Sequence, residues 1–191
     1  MNRSFIFLAE GFEEIEALTV IDVMRRAGMD IKSVAVTHDV NVTGAHGITV
    51  KADLTLSETE FDEAEWLIVP GGMPGSTNLS QCEKLNDALK AHAAKGGGIA
   101  AICAAPAVVL YPLGILDGKE ATCYPGFEKD CVKAVMRDAP VVALPNLITA
   151  NGPASALRFA LSIVAASMGE HNAQSVGSGM LFYPKSVNFY F

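Results

Sequence analysis

Three stretches of this chain are apolar without interruption for four residues, and each runs straight into residues suited to turns or to chemistry. Phe5–Leu8 leads into Ala9-Glu10-Gly11, Trp66–Val69 into Pro70-Gly71-Gly72, and Ile99–Ile102 into Cys103. Short apolar runs bounded by turn signals read as strands buried on both faces of a sheet. Segments of helical spacing lie between them. Glu13–Ala27 puts Ala17, Val20, Ile21 and Met24 on one face and stops at Gly28; Asn78–Ala94 carries Leu85, Leu89 and His92; Ala154–Met168 ends at Gly169. Strands alternating with helices imply a mostly parallel α/β sheet with helices on both faces, where ligands collect beyond the carboxyl ends of the strands.

The remaining elements read less sharply. Ile31–Val36 and Ile48–Leu56 alternate like strands, the second after the turn formers Thr43–Gly47. Ala121–Tyr124 reads as a brief strand, Phe127–Met136 as a short helix, and Val141–Leu144 with Leu147–Ala150 as a hairpin or paired strands. No repeat, linker or low-complexity segment interrupts the 191 residues, which fit one domain over 1–191.

The formal charge is −7, from 14 basic and 21 acidic side chains with no block of Lys and Arg. That excludes a nucleic-acid surface and points to small molecules or proteins as partners. Half of the residues are hydrophobic, yet no run approaches the ~18 apolar residues of a membrane helix, so no membrane partner is expected. The N-terminal apolar run is too brief for a signal-peptide core. Cys82, Cys103, Cys123 and Cys131 form no C-x-x-C pair and no metal spacing with histidine. No metal or other cofactor is expected, and a reducing cytoplasm is the simplest compartment. A Cys123–Cys131 disulfide stays open at this point.

Three strand ends carry unusual chemistry, and the fold brings those ends together. Cys103 stands where a strand emerging from Gly96-Gly97-Gly98 turns into Ala104-Ala105-Pro106, with proline well placed for a first helical turn. A thiol at such an elbow faces unpaired N–H groups and the positive end of the next helix, which favour the reactive thiolate. The run Glu10–Glu16 holds four acids in seven residues. Glu13 and Glu14 suit a helix N-terminus, whereas Glu16 sits beside the apolar face that starts at Ala17 and is the candidate for a half-buried carboxyl. The Gly71-Gly72 pair allows close approach and N–H groups aimed at an anion, without a Walker lysine or a dinucleotide fingerprint.

Taken together, Glu13-Glu14-Ile15-Glu16, Asp22–Gly28, Val69-Pro70-Gly71-Gly72, Ala100–Pro106 and Asn151-Gly152-Pro153 resemble the ThiJ/PfpI superfamily, in its branch of deglycases and chaperones. The resemblance covers nearly the whole chain. It implies a flavodoxin-like three-layer sandwich, usually a homodimer with sites near the interface. By the same resemblance Cys103 is the reactive cysteine, Glu16 the carboxyl bonded to it, and the N–H groups of Gly72 and Ala104 the oxyanion pocket. His46 stands where some members carry an arginine reaching the partner's site, Arg26 matches a second arginine, and Tyr124 stands where a histidine is often found. Ala104 replaces the histidine that follows the cysteine in hydrolase-type members, and no later H-x-E pair appears.

Two function classes follow. One is a cysteine-dependent, cofactor-free enzyme of glyoxalase or deglycase type, acting on a small-molecule or protein-adduct carbonyl, with Glu16 moving the proton. The other is a non-enzymatic, redox-responsive chaperone or sensor in which Cys103 is oxidised. A cysteine peptidase fits poorly without a triad histidine. His38, His92 and His171 read as structural or solvated and Trp66 as core. The aromatic tail Leu181–Phe191 is expected to pack on its own domain or on a partner subunit.

Overall fold

The computed structural model describes residues 2–182. In chain order the regular elements are β1 (Ser4–Leu8), α1 (Glu14–Arg26), β2 (Ile31–Ala35), β3 (Asn41–Thr43), β4 (Thr49–Lys51), β5 (Leu54–Thr55), β6 (Trp66–Val69), α2 (Gly75–Ser80), α3 (Glu83–Ala94), β7 (Gly98–Ile102), β8 (Glu120–Ala121), β9 (Val135–Met136), β10 (Val141–Leu144), β11 (Leu147–Ala150), α4 (Ala156–Met168) and α5 (Glu170–Gly179). Seven strands form the central sheet in the order β10-β11-β7-β6-β1-β2-β5. All neighbours are parallel except the edge hairpin β10–β11.

Period-two alternation sends each central strand's side chains to opposite faces, and helices cover both. Ile6, Leu8, Ile68, Ala100 and Ile102 pack with Val20 and Met24 of α1 and Phe159 and Ile163 of α4. Phe5, Phe7, Leu67, Val69, Ile99 and Ala101 pack on the other face with Leu79, Leu85, Leu89 and Leu110. This is the expected α/β, flavodoxin-like sandwich. The chain leaves β1 toward β2 on one side, while β6, β7 and β11 extend the sheet on the other. The carboxyl ends of β1 and β6 therefore flank a switch in strand order, the place where ligands collect in sheets of this kind.

Several expected elements are cut differently. The helix read over Asn78–Ala94 is two helices, because Asn86 Nδ2 donates to the Ser80 carbonyl at 2.7 Å and the Ser80 hydroxyl donates to the Thr77 carbonyl at 2.8 Å, closing α2. The strand read over Ile48–Leu56 breaks into β4 and β5, where Asp53 turns back onto Ser33. The helix read over Phe127–Met136 is a single tight turn, Glu128–Asp130, followed by β9; the amides of Val135, in β9, and of Arg137, just after it, donate to the Lys119 and Ala121 carbonyls. Strand β3 and helix α5 carry no pattern strong enough to be read from sequence. Cys123 and Cys131 are both free thiols, so the disulfide left open is not formed. The tail reading falls mostly on residues 183–191, outside those described; Phe182 lies against Arg158, whose guanidinium stands 6.0 Å from its ring centre.

Candidate active site

Register aligns the carboxyl ends of the central strands, pairing Ala101 with Val69 and Ile102 with Ala150. Cys103 follows β7 directly. Its N–H donates to the Ala150 carbonyl at 2.9 Å and its carbonyl accepts the Tyr124 N–H at 2.7 Å. Held from both sides, Cys103 adopts φ 64°, a left-handed conformation that costs a non-glycine residue about 1–2 kcal/mol. This is the sharp elbow that turns a nucleophile out of the sheet. The residue as a whole is 9% exposed.

Glu16 sits in the first turns of α1, on the face turned to the sheet, and is wholly buried. Its Oε2 accepts the Gly71 N–H at 2.7 Å, while Oε1 is buried without a hydrogen-bond partner among the described residues. Burial raises its pKa to about 7, opposed by the Gly71 N–H and by the Cys103 thiol, and aided by the charge of Glu13. The Cys103 thiol is pushed up to about 12, first by burial and then by the Glu16 charge and hydrogen bond. The N–H groups of Gly72 and Ala104 are directed at the sulfur and pull the other way. No imidazole is among the groups acting on it.

Glycine geometry makes the approach possible. Gly72 holds φ +92°, which aims its amide into the site, and a side chain there would strike the backbone of Gly11 and Phe12.

The structure therefore brings together Cys103, Glu16, Gly72 and Ala104, as the strand ends suggested. One part of that reading needs correction. The segment after Cys103 is a five-residue turn, Pro106–Leu110, of π-helical form rather than the expected α-helix. Its dipole is short, and burial beside a carboxylate outweighs it, so the thiol is raised rather than lowered.

The other candidates lie at different distances from this group. Tyr124 is 45% exposed, adjoins Gly152 and stacks edge-on against Phe127 with ring centres 6.4 Å apart. His46 is on the β3–β4 turn, with Nδ1 at 2.9 Å from Glu14 Oε2. Arg26 pairs with Asp22 at 2.7 Å at the far end of α1, ten residues beyond Glu16, or about 15 Å along the axis. It does not reach Cys103 of its own chain. Sequence reasoning missed Gly71 as the donor that fixes Glu16; the doubled glycine was the available signal.

Comparison with known proteins decides the ancestry of this arrangement. The DJ-1/PfpI family pattern matches residues 2–166. The chain belongs to the DJ-1/PfpI family. Among its relatives, Protein dj-1beta of Drosophila melanogaster is 34% identical over 184 residues, covering 95% of this chain and 98% of the relative. Protein DJ-1 homolog B of Arabidopsis thaliana is 34% identical over 190 residues, covering 99% of this chain but 43% of the relative. This DJ-1/PfpI chain thus spans less than half the length of that plant protein. A deglycase of Pyrococcus abyssi is 31% identical over 154 residues, 79% of this chain and 90% of its own. Among solved structures, oxidised DJ-1 of Toxoplasma gondii superposes with a TM-score of 0.90 at 34% identity, covering 95% of this chain and 99% of that one.

Proposed function

We propose that this DJ-1/PfpI protein is a cysteine-dependent, cofactor-free stress-protective protein that acts on reactive dicarbonyls, as a glyoxalase or deglycase. The observation that carries the reading is the buried Glu16 carboxyl beside the Cys103 thiol, with the Gly72 and Ala104 amides directed at the sulfur. A similar protein of Pyrococcus abyssi bears the name deglycase.

The chemistry follows from these groups. One proton shared by Glu16 and Cys103 lets the pair exist as carboxylic acid and thiolate. The thiolate adds to the aldehyde carbon of methylglyoxal, forming a C–S bond, and the carbonyl oxygen takes up a proton to give a hemithioacetal. The Gly72 and Ala104 amides hold the oxygen while it carries charge. Glu16, as carboxylate, removes the proton from that carbon and returns it to the neighbouring carbon while the hydroxyl proton passes to the former ketone oxygen, which converts the hemithioacetal into a thioester of a 2-hydroxy acid. Water then cleaves the thioester, releasing the acid and the thiol. Overall one water is consumed and no external oxidant or reductant is needed. Purified protein should convert methylglyoxal to lactate well above a Cys103→Ser variant; equal rates would sink the proposal.

A second reading is a redox-responsive chaperone or sensor in which Cys103 is oxidised. The similarity to oxidised DJ-1 of Toxoplasma gondii favours it. Intact mass after stoichiometric peroxide tests it, since oxidation of other cysteines with Cys103 spared would rule it out. Peptidase activity lacks support, because no imidazole acts on the thiol.

The wider setting is proposed on the same footing. Residues 1–191 are taken as one domain, since the described residues share one principal sheet with a core on each face. A homodimer is supported by exposed Ile15 and Leu18 on α1 and Ile48 on the neighbouring turn, 58%, 38% and 54% exposed. Tyr124, His46 and Arg26 are proposed as secondary or dimer-contact residues. Four free cysteines fit the cytoplasm, and no helix among the described residues is long and apolar enough to cross a membrane.

A further inference from the structure

The β3–β4 turn folds onto the start of α1 and brings His46 to Glu13 and Glu14, which lie more than thirty positions earlier in the chain. His46 Nδ1 stands 2.9 Å from Glu14 Oε2 and 3.6 Å from Glu13 Oε2. One ligand atom from each of the three residues lies within 4.8 Å of the others. The Glu14 carboxylate is fixed in place, because its Oε1 accepts the N–H groups of His46 at 2.8 Å and Ile48 at 3.4 Å. The turn is tied to α1 by the Ala45 N–H, which donates to the Phe12 carbonyl at 2.8 Å. Gly44 leaves the space that the Glu14 carboxyl fills.

Acids at a helix N-terminus are ordinarily explained by the dipole, and exposed ones need nothing more. These two are not exposed. Glu13 is 8% exposed and Glu14 4%. The Glu13 carboxylate accepts no hydrogen bond among the described residues, and its one ion-pair neighbour there is the His46 ring. Neither carboxylate has a lysine or arginine in ion-pair range among the described residues. Two adjacent carboxylates held against one imidazole repel each other unless a cation joins them, either a protonated His46 or a metal ion. In the single chain the His46 side chain is 68% exposed, which leaves its ring free to adjust.

We propose that Glu13, Glu14 and His46 form a divalent-cation site, with one carboxylate oxygen from each glutamate, Nδ1 of His46 and water as the ligands. Ligand atoms about 2.0–2.1 Å from a tetrahedral zinc lie about 3.3 Å apart, and the separations of 2.9 and 3.6 Å bracket that value. One imidazole and two carboxylates favour zinc over magnesium or calcium, which take oxygen ligands alone. The metal takes the place of whatever proton His46 and Glu14 share. The site uses neither Cys103 nor Glu16, although the charge of Glu13 bears on Glu16.

The test uses the full chain stripped with a chelator and titrated with Zn²⁺ by calorimetry. The expected result is one Zn²⁺ per chain, bound more tightly than Mn²⁺ and retained in Cys103→Ala. Binding should weaken by about tenfold or more in His46→Arg, which keeps a positive charge against the two carboxylates but removes the ligand nitrogen. Glu13→Gln should weaken it similarly and serves if His46→Arg fails to fold. Co²⁺ in place of Zn²⁺ should give a spectrum without thiolate-to-metal charge transfer. Absence of zinc binding, binding unchanged in both variants, or loss of binding in Cys103→Ala would overturn the assignment.

Discussion

Glu16 and Cys103 meet across Gly71, where a methyl group would stand 2.7 Å from Glu16 Oε2 and 2.5 Å from the Cys103 Cβ. The same glycine supplies the N–H that fixes Oε2 at 2.7 Å. One residue without a side chain therefore permits the contact and orients it. The elbow strain at Cys103 and the dry carboxyl of Glu16 are features a fold keeps only when neighbouring contacts hold them.

Gly71→Ala should accordingly separate the pair. The added carbon meets the Cβ of Cys103, which is fixed by the backbone and cannot swing away. Overpacking of this kind costs about 1–3 kcal/mol. Urea unfolding should show that loss, and the rate of Cys103 alkylation should change with it. An Ala variant as stable as wild type with unaltered alkylation would mean that the glycine is incidental.

Glu16→Gln should stabilise the protein at alkaline pH. Burial raises the folded-state pKa of Glu16 to about 7, above the ordinary carboxyl value of about 4.3. The folded state binds the proton more tightly, so stability is fully present below the unfolded pKa and falls as pH rises through about 7. At about 1.4 kcal/mol per pH unit, the ionised form costs the fold a few kcal/mol. Glutamine keeps the shape without the charge. Unfolding midpoints measured in metal-free buffer should lie closest together below about pH 4 and increasingly favour Glu16→Gln up to pH 8; no difference at pH 8 would contradict a dry, ionising Glu16.

Asp53 anchors the helix that carries Glu16. Its Oδ2 accepts the Ser33 N–H at 2.8 Å, the Ser33 hydroxyl at 2.9 Å and the Arg25 guanidinium at 2.7 Å. Burial pushes its pKa up, but these donors and the nearby Arg25 and Lys32 charges hold it below the ordinary value. A depressed carboxyl stabilises above its unfolded pKa, about 3.9, and that stability is lost as pH falls through the folded pKa. Asp53→Ala should cost about 1–3 kcal/mol at neutral pH, with the gap to wild type closing in acid. A constant gap across the pH range would assign the loss to packing.

The legible parts of the molecule were those governed by local pattern. Uninterrupted apolar runs marked the central strands because both faces are covered, and Cys103 stood out because a polarisable nucleophile ended one of them. Gly71-Gly72 and the acidic run were visible for the same reason. What escaped depended on tertiary contacts. Strand β9 forms through pairing with β8, and α2 parts from α3 through the Asn86 side chain. The thiol's upward shift arises from the depth at which Cys103 and Glu16 are buried together, which no spacing records. The Glu13–Glu14–His46 cluster joins segments too far apart for any ligand motif to register.

The coupling of Glu16 to Cys103 should appear in the pH dependence of alkylation, followed by mass at Cys103 alone in metal-free buffer. Below about 7 Glu16 holds its proton and the pair is neutral. Above it one proton is shared, and the acid–thiolate form becomes available to the reagent. Wild type should therefore show a rise centred near pH 7, well before the thiol's own ionisation at about 12 in the presence of the carboxylate. Glu16→Gln removes the titrating carboxyl and the like charge together, so the step near 7 should vanish and a single thiol ionisation should remain, below about 12 because the repulsion is gone. The same step near 7 in both proteins would assign it to another group and would remove Glu16 from the chemistry of the site.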